Sequence, residues 1–369
     1  MLFLILALTL LYAGLLFYFI LGAQRLYKKH PAQVSDLLPF ISIVVPLRNE
    51  ETTAAETLEA LSVQDYDGQW EVICVDDRST DGTRPLLEKF CATHERFRVL
   101  AIRIDEPGTA SPKKRALARG FAAAAGDILM TTDADCTPPP GWLSSMAKNF
   151  TEPIGIVQGP KRVTGPNDFL TRYQKLEVFG FVSIEAATFA MGKPMLASAP
   201  SLAYRKSLYE KAGGFAGMEH LVSGDDDMLV HKMTEQEGGN VRYNLDKEAC
   251  VSTVPVTNWP ALVQQRARWA SNGYRYSDKR FVALLAGIFA FYFFLLTGPL
   301  LAMGGLIPWS WFLIPLGIKV LLEYVFLYQT SVKFSQKRLI ADLVWAELVH
   351  VPLIVVSVVM GLFGWYKWK

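Results

Sequence analysis

Long runs of apolar residues stand at both ends of the chain. Residues 1–22 contain no charged side chain, and their length matches the roughly 20 residues that a membrane-spanning helix needs. Three further apolar runs follow one another between residues 281 and 364. The pattern therefore predicts one membrane helix near the N-terminus and three near the C-terminus.

Basic residues flank these runs mainly on one side. They occur at residues 25–29, at Lys279 and Arg280, and in the segment 333–338 between the last two runs. Because cytoplasmic loops are enriched in Lys and Arg, we expect an integral membrane protein of the plasma (inner) membrane whose long middle segment is cytoplasmic. Lys367 and Lys369 run against this rule.

The middle of the chain alternates short β-branched runs with longer helix-like stretches. After a linker at 23–39, residues 40–257 predict an α/β domain in which crossover helices cover a sheet. The expected strands are apolar on both faces, which is typical of a sheet covered on two sides. We expect strands at 41–46, 70–76, 97–102 and 127–132, and helices at 51–63, after residue 82 and at 112–125.

Composition and charge exclude several classes of protein. The 37 Lys and Arg residues nearly balance the 35 Asp and Glu residues, so no strong positive field favours nucleic acid as a partner. The four cysteines show no Cys-x-x-Cys spacing and belong to the segment expected in the reducing cytoplasm. A structural zinc site and a disulfide framework are therefore not expected.

Acidic residues follow three of the predicted strands. Glu50 follows the first strand, Asp76 and Asp77 end the second, and Asp133 and Asp135 follow the fourth. Each group alone is explained by a turn or a helix cap, but ligands of such sheets bind beyond the carboxyl ends of the strands. Together the groups predict a divalent cation, Mg²⁺ or Mn²⁺, with Asp133 and Asp135 on one side of an extended segment.

A segment at residues 258–280 places aromatic and basic residues just before an apolar run. Trp259, Trp269 and Tyr274 are interleaved there with Arg266 and Arg268. This combination is typical of an amphipathic helix on the membrane surface.

Several short stretches between residues 40 and 275 form an ordered series. They are Val45–Glu51, Val75–Thr83, Lys113 before Ala116-Leu117, Asp133-Ala-Asp135, Ser198–Phe215, Gly224-Asp-Asp-Asp227 and Gln265-Arg-Ala-Arg-Trp269. In this order they resemble the motifs of the membrane-bound glycosyltransferases of family 2. That group includes cellulose, chitin, hyaluronan and poly-N-acetylglucosamine synthases and ceramide glucosyltransferases.

The resemblance implies a Rossmann-like domain of the glycosyltransferase A type that binds a nucleotide sugar, with a UDP-sugar expected. Asp77, with Asp76 beside it, is the residue pair implied to read the uracil. Asp135, helped by Asp133, is implied to hold the metal. The other donor-binding residues that it implies are Pro46, Glu50 and Lys113.

The resemblance also implies which residues take part in the transfer step. The family pattern Thr-Glu-Asp corresponds to Gly224-Asp225-Asp226, which makes Asp226 the general base and leaves Asp225 as the alternative. One base without a covalent nucleophile implies inversion at the anomeric carbon. The motif residues Gln265, Arg268 and Trp269 are implied to serve the acceptor and the leaving diphosphate.

Two kinds of enzyme fit these motifs. Four spans leave little material for a polymer channel, which favours a single sugar transfer to a membrane lipid or lipid-linked acceptor over a processive polysaccharide synthase. Outside the enzyme class, the chain could be a donor-binding scaffold subunit of an export complex, although intact Asp135, Asp226 and Trp269 argue against it.

The last two apolar runs contain ionisable residues, which are costly at membrane depth and usually face partners or a polar cavity. Counting from the loop at 333–338, Glu323 and Glu347 lie at similar depth, with Lys319 and His350 about one turn deeper. We expect the two helices to pack side by side, with Lys319 neutralising a carboxylate. The seam is either a lipid-headgroup groove or a structural ion pair.

Overall fold

The computed structural model describes residues 1–28, 38–103, 111–221, 224–238 and 240–366. Residues 29–37, which make up much of the expected linker, lie outside the described residues. The chain divides into two compact units, each built from separate parts of the sequence. The helical unit is Met1–Tyr27, Pro166–Ser183 and Pro255–Lys369; the sheet unit is Lys28–Gly165 and Ile184–Val254.

The strands of the described residues belong to the sheet unit. They are β1 (Ile41–Leu47), β2 (Trp70–Asp76), β3 (Phe97–Ala101), β4 (Ile128–Thr131), β5 (Cys136–Thr137), β6 (Ile154–Gln158), β7 (Lys161–Val163), β8 (Leu202–Arg205), β9 (Asn240–Tyr243) and β10 (Val251–Thr253).

The helices of the described residues are distributed over both units. They are α1 (Leu2–Lys28), α2 (Ala54–Ser62), α3 (Thr83–Cys91), α4 (Pro112–Ala123), α5 (Trp142–Ala147), α6 (Phe169–Ala190), α7 (Lys206–Lys211), α8 (Asp227–Glu237), α9 (Trp259–Ala270), α10 (Lys279–Met303), α11 (Ser310–Lys333) and α12 (Leu343–Leu362).

The main sheet has seven strands in the order β3-β2-β1-β4-β8-β6-β9. Strands β3, β2, β1 and β4 are parallel, whereas β8 is antiparallel to both of its neighbours. A smaller sheet has the order β5-β10-β7. The three strands that carry acidic residues at their ends are therefore adjacent, as the sequence predicts.

Helices pack against the sheet, and this burial explains why the strands are apolar. Ile41, Ile43 and Val44 in β1 are fully buried. Helix α4 comes so close to this strand that a Cβ atom on Gly120 would lie 2.3 Å from Cγ1 of Val44. Only glycine permits this approach, which brings the first turn of α4 over the ends of the central strands.

Among the residues that the structure describes, the helical unit contains four helices that are long and apolar enough to cross a membrane. They cover Leu2–Leu26, Lys279–Met303, Ser310–Lys333 and Lys337–Phe363. The last of these begins with a 3₁₀ turn at Lys337–Asp342 and continues as α12. One N-terminal and three C-terminal spans are thus present, as the sequence predicts.

One largely buried group in the last two spans contains Lys319, Glu323 and Glu347. Lys319 Nζ lies 2.9 Å from Glu323 Oε2 and 2.5 Å from Glu347 Oε2, and its side chain has no exposed surface. The hydroxyl of Tyr12 in α1 donates to Glu323 and lies 3.0 Å from the hydroxyl of Tyr292. The expected ion pair between α11 and α12 is confirmed, but the expected side-by-side packing of these two helices is not, because α10 packs against both of them. Full burial of Lys319 favours a structural ion pair over an open groove.

Candidate active site

The loops that follow β1 and β2 are hydrogen-bonded to each other. Asn49, which has a left-handed backbone (φ 56°), donates from its N–H to Ser79 Oγ at 3.0 Å and accepts from Thr80 N–H at 2.8 Å. The N–H of Glu50 donates to Thr83 Oγ1 at 2.8 Å. The two motif stretches therefore form one cross-linked edge, and Pro46 and Glu50 lie on it.

Asp76 and Asp77 are both buried at the end of β2. Asp76 Oδ1 accepts from Ser79 N–H at 3.2 Å. Nη2 of Arg115 in α4 donates to the two carboxylate oxygens of Asp77 at 2.6 and 2.7 Å, and Nε of Arg78 donates at 3.2 Å. The sequence did not reveal Arg115 as a partner, because the pairing depends on how α4 crosses the sheet.

A candidate cation site follows β4. One oxygen of Asp133, one oxygen of Asp135 and Sγ of Cys136 all lie within 4.8 Å of one another. The prediction of an extended segment at Asp133 and Asp135 is wrong. The N–H of Cys136 donates to the carbonyl oxygen of Asp133 at 3.2 Å, and this hydrogen bond closes a turn. The turn nevertheless gathers the two carboxylates, and two such oxygens fit a hard divalent cation.

Removal from water, although the side chain keeps exposed surface, raises the pKa of Asp135, and the nearby charge of Asp133 adds to this effect. A carboxyl group under like-charge repulsion is stabilised when a cation is bound between it and its neighbour. The electrostatics of this turn therefore suit cation binding.

Lys113, at the start of α4, joins the cation site to the acidic motif. Its Nζ lies 2.6 Å from Asp133 Oδ1 and 3.1 Å from Asp225 Oδ2. Burial alone would lower its pKa, but the carboxylates of Asp133, Asp225 and Asp226 outweigh this and hold the pKa above its ordinary value. Lys113 is thus a fixed positive charge between two acidic groups.

Lys114, the next residue, is fully buried and holds the segment before the acidic motif. Its Nζ donates to the carbonyls of Met218 at 3.3 Å and Leu221 at 3.1 Å. Ser111 caps α4 by accepting from Lys114 N–H at 3.3 Å. Sequence reasoning missed Lys114, because adjacent lysines do not disclose which one points inward.

Asp226 caps helix α8 and is held at both oxygens. Its Oδ1 accepts from Asp227 N–H at 2.8 Å and its Oδ2 accepts from Ala199 N–H at 3.2 Å. Removal from water raises its pKa well above the ordinary value, and the charges of Asp225 and Asp227 add to this, while Lys113 opposes it. A carboxylate with a raised pKa is suited to accept a proton near neutral pH.

A further carboxyl group, which the sequence did not single out, lies in this unit. Glu185 in α6 is buried beside Ser198 and Tyr243. Burial raises its pKa to about 7, and Lys161 opposes this rise while Asp227 contributes to it. The sequence signal was weak, because Glu185 lies within an otherwise ordinary helix.

The Gln-x-x-Arg-Trp motif lies on α9, in the helical unit. The sequence pattern placed Arg266 on the membrane surface, but its side chain is buried and pairs with Glu177 of α6 at 2.5 Å. Its guanidinium carbon lies 4.1 Å from the centre of the Trp269 ring, and its Nη1 donates to Gln265. Trp269 keeps 36% of its surface exposed.

Comparison with known proteins identifies a family whose model matches nearly the whole chain and relatives that match about half to 70% of it. The sequence model of the family described as glycosyl transferase family 21 matches residues 2–365. Glycosyltransferase AglE of Haloferax volcanii is 27% identical over 204 residues, which are 55% of this chain and 64% of that protein. Beta-monoglucosyldiacylglycerol synthase of Nostoc sp. is 28% identical over 270 residues, which are 70% of this chain and 54% of that protein.

The chain spans between about half and two thirds of the length of these curated relatives. Among solved structures, it is similar to mannosyltransferase PcManGT of Pyrobaculum calidifontis in complex with GDP-Man and Mn²⁺, with a TM-score of 0.60 and 19% identity. That alignment covers 98% of each chain. The likeness confirms the expected α/β fold of the glycosyltransferase A type.

Proposed function

Because this chain belongs to glycosyl transferase family 21, we propose that it transfers one sugar, with inversion, from a nucleotide-sugar donor to a membrane lipid. Relatives named Beta-monoglucosyldiacylglycerol synthase support a lipid acceptor. The GDP-Man and Mn²⁺ of the similar mannosyltransferase support a nucleoside diphosphate sugar with a divalent cation. We propose a UDP-sugar, on the resemblance of the Asp76-Asp77 stretch.

One observation carries this proposal: a single ammonium group joins two acidic motifs. Lys113 contacts Asp133 of the cation site and Asp225 of the acidic motif. Residues far apart in sequence therefore meet at one place, which contains carboxylates, a fixed positive charge and the helix-capping Asp226. This is the set of groups that a metal-assisted glycosyl transfer needs.

In this mechanism, Asp226 accepts the proton of the attacking acceptor hydroxyl. The Ala199 N–H holds one of its oxygens and so restricts the direction of the carboxylate. A base that assists attack from the face opposite the leaving group gives inversion. Asp225, which is paired with Lys113, is better placed to fix that lysine than to take the proton.

On the donor side, Asp135 and Asp133 would hold Mg²⁺ or Mn²⁺, which supplies positive charge to the leaving diphosphate when bound. Lys113 supplies a second positive charge at Asp133. Asp76 and Asp77, with Pro46 and Glu50, are assigned to the base and ribose. By their motif, we assign Gln265, Arg268 and Trp269 to the acceptor and the diphosphate.

The test is a transfer assay with the purified full chain, several nucleotide sugars, Mn²⁺ or Mg²⁺ and extracted membrane lipids. Asp226→Asn should bind donor normally but lower transfer by about a hundredfold or more, because an amide cannot take the proton. Asp246→Asn is the matched control, since Asp246 also caps a short helix in the sheet unit.

Two outcomes of this assay would contradict the proposal. If Asp226→Asn transfers sugar as fast as the unmodified chain, Asp226 is not the base. If excess chelator leaves transfer unchanged, the cation assignment to Asp133 and Asp135 fails.

A further inference from the structure

A buried ion pair joins α6 to the helix that carries the Gln-x-x-Arg-Trp motif. Nε of Arg266 donates to the two carboxylate oxygens of Glu177 at 3.1 and 3.0 Å, and Nη2 donates to Oε2 at 2.5 Å. Both side chains are less than a tenth exposed. Such forked pairing fixes the plane of the guanidinium group as well as its charge.

That guanidinium plane is also in contact with the motif tryptophan. The guanidinium carbon of Arg266 lies 4.1 Å from the centre of the Trp269 ring, within the range of a cation–π contact. The ring of Phe181 in α6 meets Trp269 edge-on at 6.0 Å. Because Glu177 fixes the guanidinium, it also restricts the orientation of the indole ring.

Glu177 is also connected to the last membrane span, through the hydroxyl of Tyr173. The hydroxyl of Tyr173 lies 3.4 Å from Glu177 Oε1 and 2.9 Å from Nδ1 of His350 in α12. The Tyr173 side chain is buried. A chain of contacts therefore runs from α12 through Tyr173, Glu177 and Arg266 to Trp269.

Stability alone does not account for this arrangement. Replacing a buried ion pair by apolar residues of similar volume is often neutral or stabilising, because the charges lose their hydration. The presence of this buried ion pair beside the partly exposed Trp269 is consistent with a need to fix the orientation of the Trp269 ring. We propose that Glu177 is a positioning residue that, through Arg266, orients Trp269 toward the acceptor; this rests on the proposed function.

The first experiment does not depend on activity. Hydroxyl-radical oxidation of the purified full chain, read by mass spectrometry at Trp269, should be faster in Glu177→Gln, because the guanidinium no longer has a charged partner and covers the ring less. Arg172→Gln is the matched control: it breaks the ion pair of the same helix with Asp342. The rate of Trp269 oxidation in Arg172→Gln should equal the rate in the unmodified chain.

The second experiment is a double-mutant cycle on transfer to the lipid acceptor. Glu177→Gln should lower kcat/KM for the acceptor about tenfold, the size of one lost orienting contact, with donor binding unchanged. Combining it with Trp269→Ala should give no greater loss than Trp269→Ala alone, because both changes act through the same ring.

A companion variant guards against misfolding. Glu177→Gln combined with Arg266→Gln removes both buried charges, so no uncompensated charge remains, and it should show the same acceptor loss in a folded protein. Unchanged Trp269 oxidation in Glu177→Gln, or losses that multiply in the cycle, would overturn the positioning role. Faster Trp269 oxidation without any sugar transfer by the unmodified chain would uphold the effect of Glu177 on the Trp269 ring and reject the proposed function.

Discussion

Lys113 connects the two acidic groups of the site at the scale of single residues. It contacts Asp133 at 2.6 Å and Asp225 at 3.1 Å, and their charges keep it protonated despite its partial burial. Asp226 feels the opposite influences, since burial and two neighbouring carboxylates disfavour its charge. The pKa of Asp226 can therefore be changed by replacing one of its charged neighbours.

A pH prediction follows from Asp226. The base acts only when unprotonated, so transfer falls as pH drops through its pKa. Because that pKa is raised, the fall should begin above the ordinary aspartate range near 4. Asp227→Asn removes a repelling charge, lowers the pKa of Asp226 and should move the acid limb of kcat/KM to lower pH.

The pH dependence of kcat/KM in the two chains measures this effect. Asp246→Asn serves as control, because Asp246 caps a 3₁₀ turn rather than α8. An acid limb that stays in place in Asp227→Asn would contradict the assigned electrostatics.

Glu185 gives a prediction about stability. Its pKa is about 7 in the folded chain, against 4.5 ordinarily, so the folded state holds a proton that the unfolded state releases between these values. Stability therefore falls as pH rises through this window, by up to about 3 kcal/mol. Glu185→Gln should raise the thermal midpoint at pH 8 and have a smaller effect at pH 5.

Thermal unfolding of both chains at the two pH values checks this, with Glu248→Gln as a more exposed control. Equal shifts of the midpoint at pH 5 and pH 8 would show that the Glu185 carboxyl group is not the cause.

At the scale of elements, the hydrophobic pattern predicted β1, β2 and β4 because each is a short β-branched run buried on both faces. It did not predict the turn at Asp133–Asp135, since alternation of side chains holds only while the strand continues. It also placed Arg266 on the membrane surface, because a sequence pattern does not reveal a partner such as Glu177, which is 89 positions away.

The two last spans allow a test of an element-scale contact. Lys319→Glu leaves several buried carboxylates without a cation, so little folded protein should accumulate. Adding Glu347→Lys restores a cation in the same buried group and should restore folding and sugar transfer, because the group is closed from solvent. Lys337→Glu, at an exposed position at the start of the 3₁₀ turn, is the control that should fold normally.

Folded yield and lipid glycosylation of the single and double variants are the measurements. A double variant that folds and hydrolyses donor but cannot glycosylate lipid would show that the seam between α11 and α12 belongs to the lipid path.

At the scale of the whole molecule, the sequence predicted the fold class and four spans, because both depend on local hydrophobicity and its period. The two units were not predictable in this way. Residues Pro166–Ser183 belong to the helical unit although they stand between two parts of the sheet unit in sequence. Contacts within the helical unit join residues that are far apart in sequence, such as Arg172 and Asp342, which are 170 positions apart. The local hydrophobic pattern does not reveal such contacts.

The proposed function predicts a definite product. A single inverting transfer to lipid, from an α-linked donor, yields one β-linked sugar per lipid molecule, and a processive synthase yields a polymer instead. The most direct measurement is mass spectrometry and proton NMR of the lipid extracted after reaction with the purified chain, nucleotide sugar and Mn²⁺. We predict a lipid that gains one sugar with a β-anomeric signal; an α-linked sugar or a free polysaccharide would contradict the account.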